Sequence, residues 1–252
     1  VKLQAAIFDL DGVVTFTARL HRAAWRELFD AFLRARASET GEPFHPFTDE
    51  EYVAHVDGRP RLEGIRTFLT SRGITLPEVV PPERPEAASV ASLAARKNEI
   101  FHALLTREGV DVDAGAVAFI QALKANGVRV GVASSSKNAP LVLARAGLED
   151  LFEARIDGQI SEQLGLPGKP EPDIFLACLK ELDGAMPGQA LVVEDAVAGV
   201  EAARRGGFGL VIGVDRGSYG ASLTEHGADW VITDFSELSL ARVEDYFRTK
   251  GG

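Results

Sequence analysis

Short apolar runs recur along the chain at Leu3 to Phe8, Val128 to Ala133, Ala154 to Ile156, Ala190 to Val193, Gly209 to Val214 and Trp230 to Ile232. Each has the length of a strand, and their unbroken apolar character predicts burial on both faces. Between the later runs the apolar positions take a helical spacing, at Ala114 to Ala125, Ala139 to Ala146, Asp173 to Glu181 and Ala198 to Arg205. Strands alternating with helices imply right-handed βαβ crossovers. The predicted fold is therefore α/β, a doubly wound parallel sheet covered by helices on both faces.

That rhythm stops after Thr15, where no strand pattern appears for about a hundred residues, far longer than an ordinary connection. Helical patterns fill the gap. Ala18 to Arg36 sets Leu28, Phe29, Phe32 and Leu33 on one side, and Asp49 to His55, Leu62 to Ser71 and Ala87 to Thr106 read as further helices. The proline-rich stretch Leu76 to Pro85 reads as a surface connection. An all-helical domain at 17–108 is expected, inserted into an α/β core formed by 1–16 and 109–252. Its two connections, Thr15 to Ala18 and Glu108 to Asp113, are candidate hinges.

At 252 residues and 46% hydrophobic, the chain has enough apolar matter for one large core with a smaller companion. Acidic side chains outnumber basic ones by 37 to 27, a formal charge of -10 that disfavours nucleic acid and anionic membranes as partners. Cys178 is the single cysteine, so no intrachain disulfide forms, and a reducing cytoplasm is the expected compartment. No apolar stretch approaches the roughly 20 residues of a spanning helix, and the N-terminal residues lack a signal-peptide pattern. The first residue is Val1, not methionine, which raises the expectation of residues upstream. A monomer acting on a small molecule is expected.

Candidate chemistry gathers at strand ends. The first predicted strand ends in Asp9-Leu10-Asp11-Gly12, the second in Ser134-Ser135-Ser136-Lys137-Asn138, the fourth in Glu194-Asp195, and a loop carries Gly168-Lys169-Pro170. In a parallel sheet the carboxyl ends of neighbouring strands lie side by side, so these groups meet. Asp9, Glu194 and Asp195 ionised together call for a cation. Hard oxygen donors completed by water and phosphate suit Mg²⁺. Lys169 offers a point charge and Ser134 a hydrogen bond to an anionic transition state. Asp9 is placed to attack phosphorus and Asp11 to carry the proton. A DxDG alone reads equally well as a turn, and Glu194-Asp195 as a helix N-cap; four such motifs in order favour the chemical reading.

The chain resembles the haloacid dehalogenase superfamily of aspartyl-phosphate phosphotransferases, whose four motifs are matched in order by Asp9 to Gly12, Ser134, Lys169 and Glu194-Asp195. The resemblance implies that Asp9 is nucleophile and metal ligand. It implies that Asp11 is acid/base and offers its carbonyl to the metal, and that Asp195 is a metal ligand supported by Glu194. Within the superfamily it is similar to the β-phosphoglucomutase-like subfamily with a helical cap. That likeness rests on Asp9 to Thr15 with Leu20 to Trp25, Asp57-Gly58 before Arg61, Arg96-Lys97-Asn98, and Ser134 to Asn138. The subfamily's reaction moves phosphate between the C1 and C6 oxygens of β-glucose through a bisphosphate intermediate. By resemblance Arg61, Ser136, Lys137 and Asn138 form a second phosphate site, His21 supports proton transfer, and Trp25, Gly58 and Lys97 surround the sugar.

Bland readings stand beside these for the cap: His21 packed, Trp25 in the helical core, Arg61 and Lys97 as surface charges. Two departures concern the substrate. Phe16 lies between two threonines where a related mutase carries aspartate, and the helical insertion is longer around Ser38 to Phe47 and Leu76 to Ala88. A sugar-phosphate phosphatase shares the first half-reaction, since excluding water from Asp9-phosphate is what separates the two. A signalling phospho-acceptor uses similar strand-end groups, but an inserted lid would hide its docking surface.

Overall fold

The computed structural model describes residues 1–84, 86–217 and 219–249. Among them, six strands form one sheet: β1 (Ala5–Phe8), β2 (Arg129–Ala133), β3 (Ala154–Ile156), β4 (Ala190–Glu194), β5 (Leu210–Val214) and β6 (Trp230–Ile232). They pair in parallel in the order β3-β2-β1-β4-β5-β6. The central strands β1, β4 and β5 are buried along their whole length, as their unbroken apolar sequences require. Polarity returns at the edge, where Arg155 of β3 is exposed.

Alternation along β1 sends its side chains to opposite faces. Ile7 joins a cluster with Phe175, Cys178, Val192 and Val200, covered by the helices Asp173–Lys180 and Val197–Arg205. Phe8 meets Phe119 of the helix Ala114–Ala125 edge-on, ring centroids 6.3 Å apart. The chain winds outward from β1 to β3, returns to the middle, and winds the other way from β4 to β6. The reversal lies between β1 and β4, and their carboxyl ends therefore border the crevice where such sheets bind ligands.

Strand ends differ from the sequence reading by one or two residues: β1 begins at Ala5 and β4 runs on to Glu194. The helices Gly158–Leu164, Gly220–Glu225 and Leu240–Thr249 were not anticipated. The first buries only Gly158 and the second only Leu223, so neither carries an apolar period. The last buries Val243 and Phe247 alone.

Residues 17–109 form a separate compact unit, the rest of the chain the other; Gly109, expected on the sheet side, falls in the helical unit. Its helices are Ala18–Thr40, Asp49–Glu51, Arg61–Ser71 and Val90–Glu108. An aromatic cluster holds them. Phe29 is fully buried, with its ring centroid 5.2 Å from Trp25, 5.0 Å from Phe47 and 4.0 Å from Phe68. The helix expected over Asp49 to His55 widens after Glu51 into a π-helical turn, Tyr52–Val56, closed by Asp57 N–H on the Tyr52 carbonyl at 3.0 Å. The fourth helix starts at Val90, because Ser89 and Ser92 cap each other's backbone N–H reciprocally at 3.0 and 2.9 Å. The connection after Leu76 is irregular through Arg84, and Pro85 lies outside the described residues. Among the described residues no helix is long and apolar enough to cross a membrane.

The aromatic cluster yields the first prediction. Phe29→Ala should lower the unfolding free energy of the full chain by about 3–5 kcal/mol, measured by chemical denaturation. A loss below about 1 kcal/mol would mean that the cluster does not hold the unit together.

Candidate active site

Ladder bonds set the first acid in place. Asp9 follows β1 directly, and its N–H donates to the Val193 carbonyl at 2.9 Å, so the β1–β4 pairing continues through it. Glu194 is the last residue of β4 and is fully buried. Between their carboxylates lies Lys169, 1% exposed, whose ammonium donates to Asp9 Oδ1 and Glu194 Oε1, both at 2.6 Å. The face of Phe175 closes the site, its centroid 4.8 Å from Nζ.

The second oxygen of Glu194 accepts from the Ala196 N–H at 2.7 Å. Ala196 is the N-cap of the helix Val197–Arg205, so Glu194 steadies the start of that helix while it anchors the lysine. This arrangement depends on Gly199. A Cβ there would lie 1.8 Å from Glu194 Oε1 and 2.0 Å from its carboxyl carbon, so any side chain expels the glutamate. Gly199 was missed at the sequence level, since only the approach of helix to strand end makes it necessary.

Electrostatics follow from burial and crowding. Burial raises the Asp9 carboxyl to about 8, with Glu194 and Asp11 adding to the rise and Lys169 opposing it. Burial would lower Lys169, but the Asp9 and Glu194 carboxylates outweigh it and hold the ammonium firmly protonated. These two tendencies pull against each other, one favouring a neutral Asp9 and the other an ionised one. The paired 2.6 Å contacts place a protonated Lys169 between the two acids.

The oxygen donors at this strand end suit a hard divalent cation. Among the described residues no three His, Cys, Asp or Glu side chains converge as a metal cluster. Lys169 bridges Asp9 and Glu194, with one Glu194 oxygen on the lysine and the other on the Ala196 N–H. Asp11 is close enough to Asp9 to help raise its carboxyl, and Asp195, half-buried, follows the end of β4.

On the other side of β1, Ser134 N–H extends the β2–β3 ladder to the Ile156 carbonyl at 3.0 Å. Its hydroxyl accepts from Ser136 N–H at 3.1 Å and lies 3.4 Å from Asp11 Oδ2, a long contact. Ser136 Oγ in turn accepts from Asn138 N–H at 3.1 Å. This loop leans on the helix Gly158–Leu164: Gly158 N–H donates to Ser136 O at 3.1 Å, Gln159 Nε2 to Lys137 O at 2.8 Å, and Glu162 pairs with Lys137 Nζ at 2.6 Å. Asp157 fixes that helix by capping Gln159 and Ile160 N–H. None of these supports was read from sequence.

The helical unit gathers a second set of expected residues. Lys97 is buried, with Nζ 2.6 Å from His21 Nδ1 and 5.0 Å from the ring centroids of both Trp25 and Phe101. His21 stacks on Phe101 at 4.0 Å. Trp25 is buried against Phe29 and forms the wall behind the lysine. Arg61 is not a surface charge: it donates to Ala94 O at 3.2 Å and Asn98 Oδ1 at 2.8 Å, and burial lowers its pKa. Gly58 sits in the turn before that helix at φ 69°.

A family model of haloacid dehalogenase-like hydrolases matches residues 3–207. The chain belongs to that family. Among its relatives, β-phosphoglucomutase of Mycobacterium bovis is 44% identical over 241 residues, covering 94% of this chain and 92% of that protein. A solved β-phosphoglucomutase structure from Clostridium difficile superposes with TM-score 0.75 at 26% identity, over 98% of both chains. CbbY from Rhodobacter sphaeroides, solved in complex with xylulose-(1,5)bisphosphate, gives 0.69 at 26% identity over 95% of this chain and 98% of that one. These matches place the chain in the β-phosphoglucomutase-like branch of the family, among phosphotransferase and phosphatase enzymes.

Gly199→Ala tests the lysine anchor. Forcing Cβ into Glu194 should cost about 1–3 kcal/mol of stability by denaturant unfolding. It should also lower phosphate-ester turnover by at least about tenfold through displacement of Lys169. Native stability with native turnover would contradict the geometry.

Proposed function

We propose that this enzyme interconverts β-D-glucose 1-phosphate and glucose 6-phosphate through an aspartyl-phosphate and a bisphosphate intermediate. The observation that carries the reading is the 44% identity to a β-phosphoglucomutase over 94% of the chain. The strand-end geometry is consistent with its chemistry. Asp9 attacks phosphorus, and Lys169, held 2.6 Å from its carboxylate, neutralises charge on the nucleophile and the transferring group. Asp11 gives a proton to the leaving oxygen and takes one from the incoming hydroxyl. Ser134 donates to the phosphoryl oxygens, and Glu194 holds the lysine.

Mg²⁺ is the proposed cofactor, with Asp9, Asp11 and Asp195 as its holders and Glu194 in support, directly or through water; when bound it would neutralise the substrate phosphate. In this reading Arg61, Ser136, Lys137 and Asn138 bind the phosphate that is not reacting, an Arg fork and an ammonium being suited to a dianion. His21 and Lys97 act together on proton placement and the sugar, with Gly58 giving the backbone room and Trp25 backing Lys97. A second reading, a phosphatase of sugar bisphosphates, is favoured by the likeness to CbbY with its bound xylulose bisphosphate. The two share every step up to the choice of acceptor.

Incubation with β-glucose 1-phosphate, Mg²⁺ and a trace of the glucose bisphosphate should give glucose 6-phosphate with little free phosphate, and EDTA should abolish it. Free phosphate alone would favour the phosphatase; unchanged turnover in EDTA would remove the metal from the account. Arg61→Ala should raise KM for the bisphosphate by about 10–100-fold, the loss of a charge-assisted phosphate contact. An unchanged KM would place the second phosphate elsewhere.

A further inference from the structure

Asp11, the proposed proton carrier, opens a tight turn. Gly12, at φ 96°, takes a left-handed conformation that side chains resist, and its N–H donates to Thr15 O at 2.7 Å. Val14 and Thr15 N–H both return to Leu10 O at 3.0 Å. The carbonyls of Gly12 and Val13 point to one side chain. Arg216, just beyond β5, donates from Nε to Gly12 O at 2.8 Å and from a terminal nitrogen to Val13 O at 3.3 Å. The same guanidinium pairs with Asp113 Oδ2 at 2.6 Å and lies over the Phe16 ring, 4.8 Å from its centroid.

Asp113 belongs to the same structural knot. Its N–H donates to Val14 O at 2.9 Å, Phe16 N–H donates to Asp111 O at 2.9 Å, and Thr15 bridges Val112 antiparallel. Asp113 Oδ1 caps the helix Ala114–Ala125 through Ala116 N–H at 3.0 Å. One guanidinium thus ties the Asp11 turn to the two segments through which the chain leaves and re-enters the sheet unit. The planar fork is essential, because a single ammonium cannot hold two carbonyls and a carboxylate in these directions.

We infer that Arg216 is a positioning residue for the proton transfer of Asp11. This rests on the aspartyl-phosphate reading. In the first half-reaction an Asp9 oxygen bonds to phosphorus as the bond from phosphorus to the bridging oxygen breaks, its electron pair leaving with that oxygen. Protonated Asp11 gives its proton to the departing oxygen and becomes a carboxylate, and a free alcohol results. An alkoxide is a poor leaving group and needs that proton; nitrophenolate departs without it. Loosening the turn should therefore harm the two kinds of ester unequally.

The test is single-turnover release of glucose from glucose 6-phosphate, compared with release of nitrophenol from p-nitrophenyl phosphate, in the full chain with Mg²⁺. Arg216→Ala should slow glucose release by about 10–100-fold and nitrophenol release by no more than about threefold, given what a general acid contributes. Arg216→Lys should recover part of the difference, and Asp113→Asn, which keeps the arginine but weakens its anchor, should show a smaller one. Asp11→Asn is the control. If it discriminates between the esters while Arg216→Ala and Asp113→Asn slow both equally or neither, the inference is overturned. If Asp11→Asn itself fails to discriminate, the inference falls together with the proton role it rests on.

Discussion

A buried ammonium between two buried carboxylates organises this molecule. Neither Asp9 nor Glu194 would be tolerated at the centre of a parallel sheet without an opposite charge, and Lys169 would be equally costly alone. Their mutual contacts fix the ends of β1 and β4, the loop bearing Lys169, and the start of the helix Val197–Arg205 at one point. The cost of removing any one of them falls on the other two. Such an arrangement contributes less to net stability than to placement: it holds Asp9, the proposed nucleophile, at a strand end with an ammonium beside it.

Sheet topology explains why the proposed chemistry falls at that point. The reversal of strand order between β1 and β4 leaves their carboxyl ends bordering a crevice, so the polar residues that cannot join the apolar ladder are those exposed to ligand. Ser134 at the end of β2 and Asp11 after β1 extend the same edge. Supporting layers lie behind it: Gly199 makes room for Glu194, the helix Gly158–Leu164 props the serine loop, and Arg216 grips the turn after Asp11. Residues that touch no substrate thus govern where the reacting groups stand.

Much of this was legible in the chain because burial writes itself into sequence. β1, β2, β4 and β5 were readable as apolar runs; Asp9, Ser134 and Glu194 were readable because polar residues interrupt those runs at their ends, and Lys169 from its place in the loop Gly168-Lys169-Pro170. Glu194 was legible only in part. Its acidity was readable, but its full burial and its contacts, one oxygen to Lys169 and the other to Ala196 N–H, are visible only in three dimensions. Arg216 lies 204 residues from the carbonyl of Gly12 that it holds, and no local pattern announces such a contact. The π-helical turn at Tyr52–Val56 kept the spacing of an ordinary helix in sequence while its backbone widened. Trp25 looked equally suited to core and sugar, and only the structure shows its ring stacked on Phe29 with the Lys97 ammonium 5.0 Å from its centroid.

The central claim is that Asp9, held by Lys169, is the group that accepts phosphorus. Acid-quenched mixing with phosphorylated sugar, followed by peptide mapping in the mass spectrometer, tests it most directly. The account predicts a hydroxylamine-sensitive phosphoryl group on the peptide carrying Asp9, absent from the Asp9→Asn chain. A phosphoryl group found on Ser134 or any other residue, or one that persists after Asp9→Asn, would contradict it.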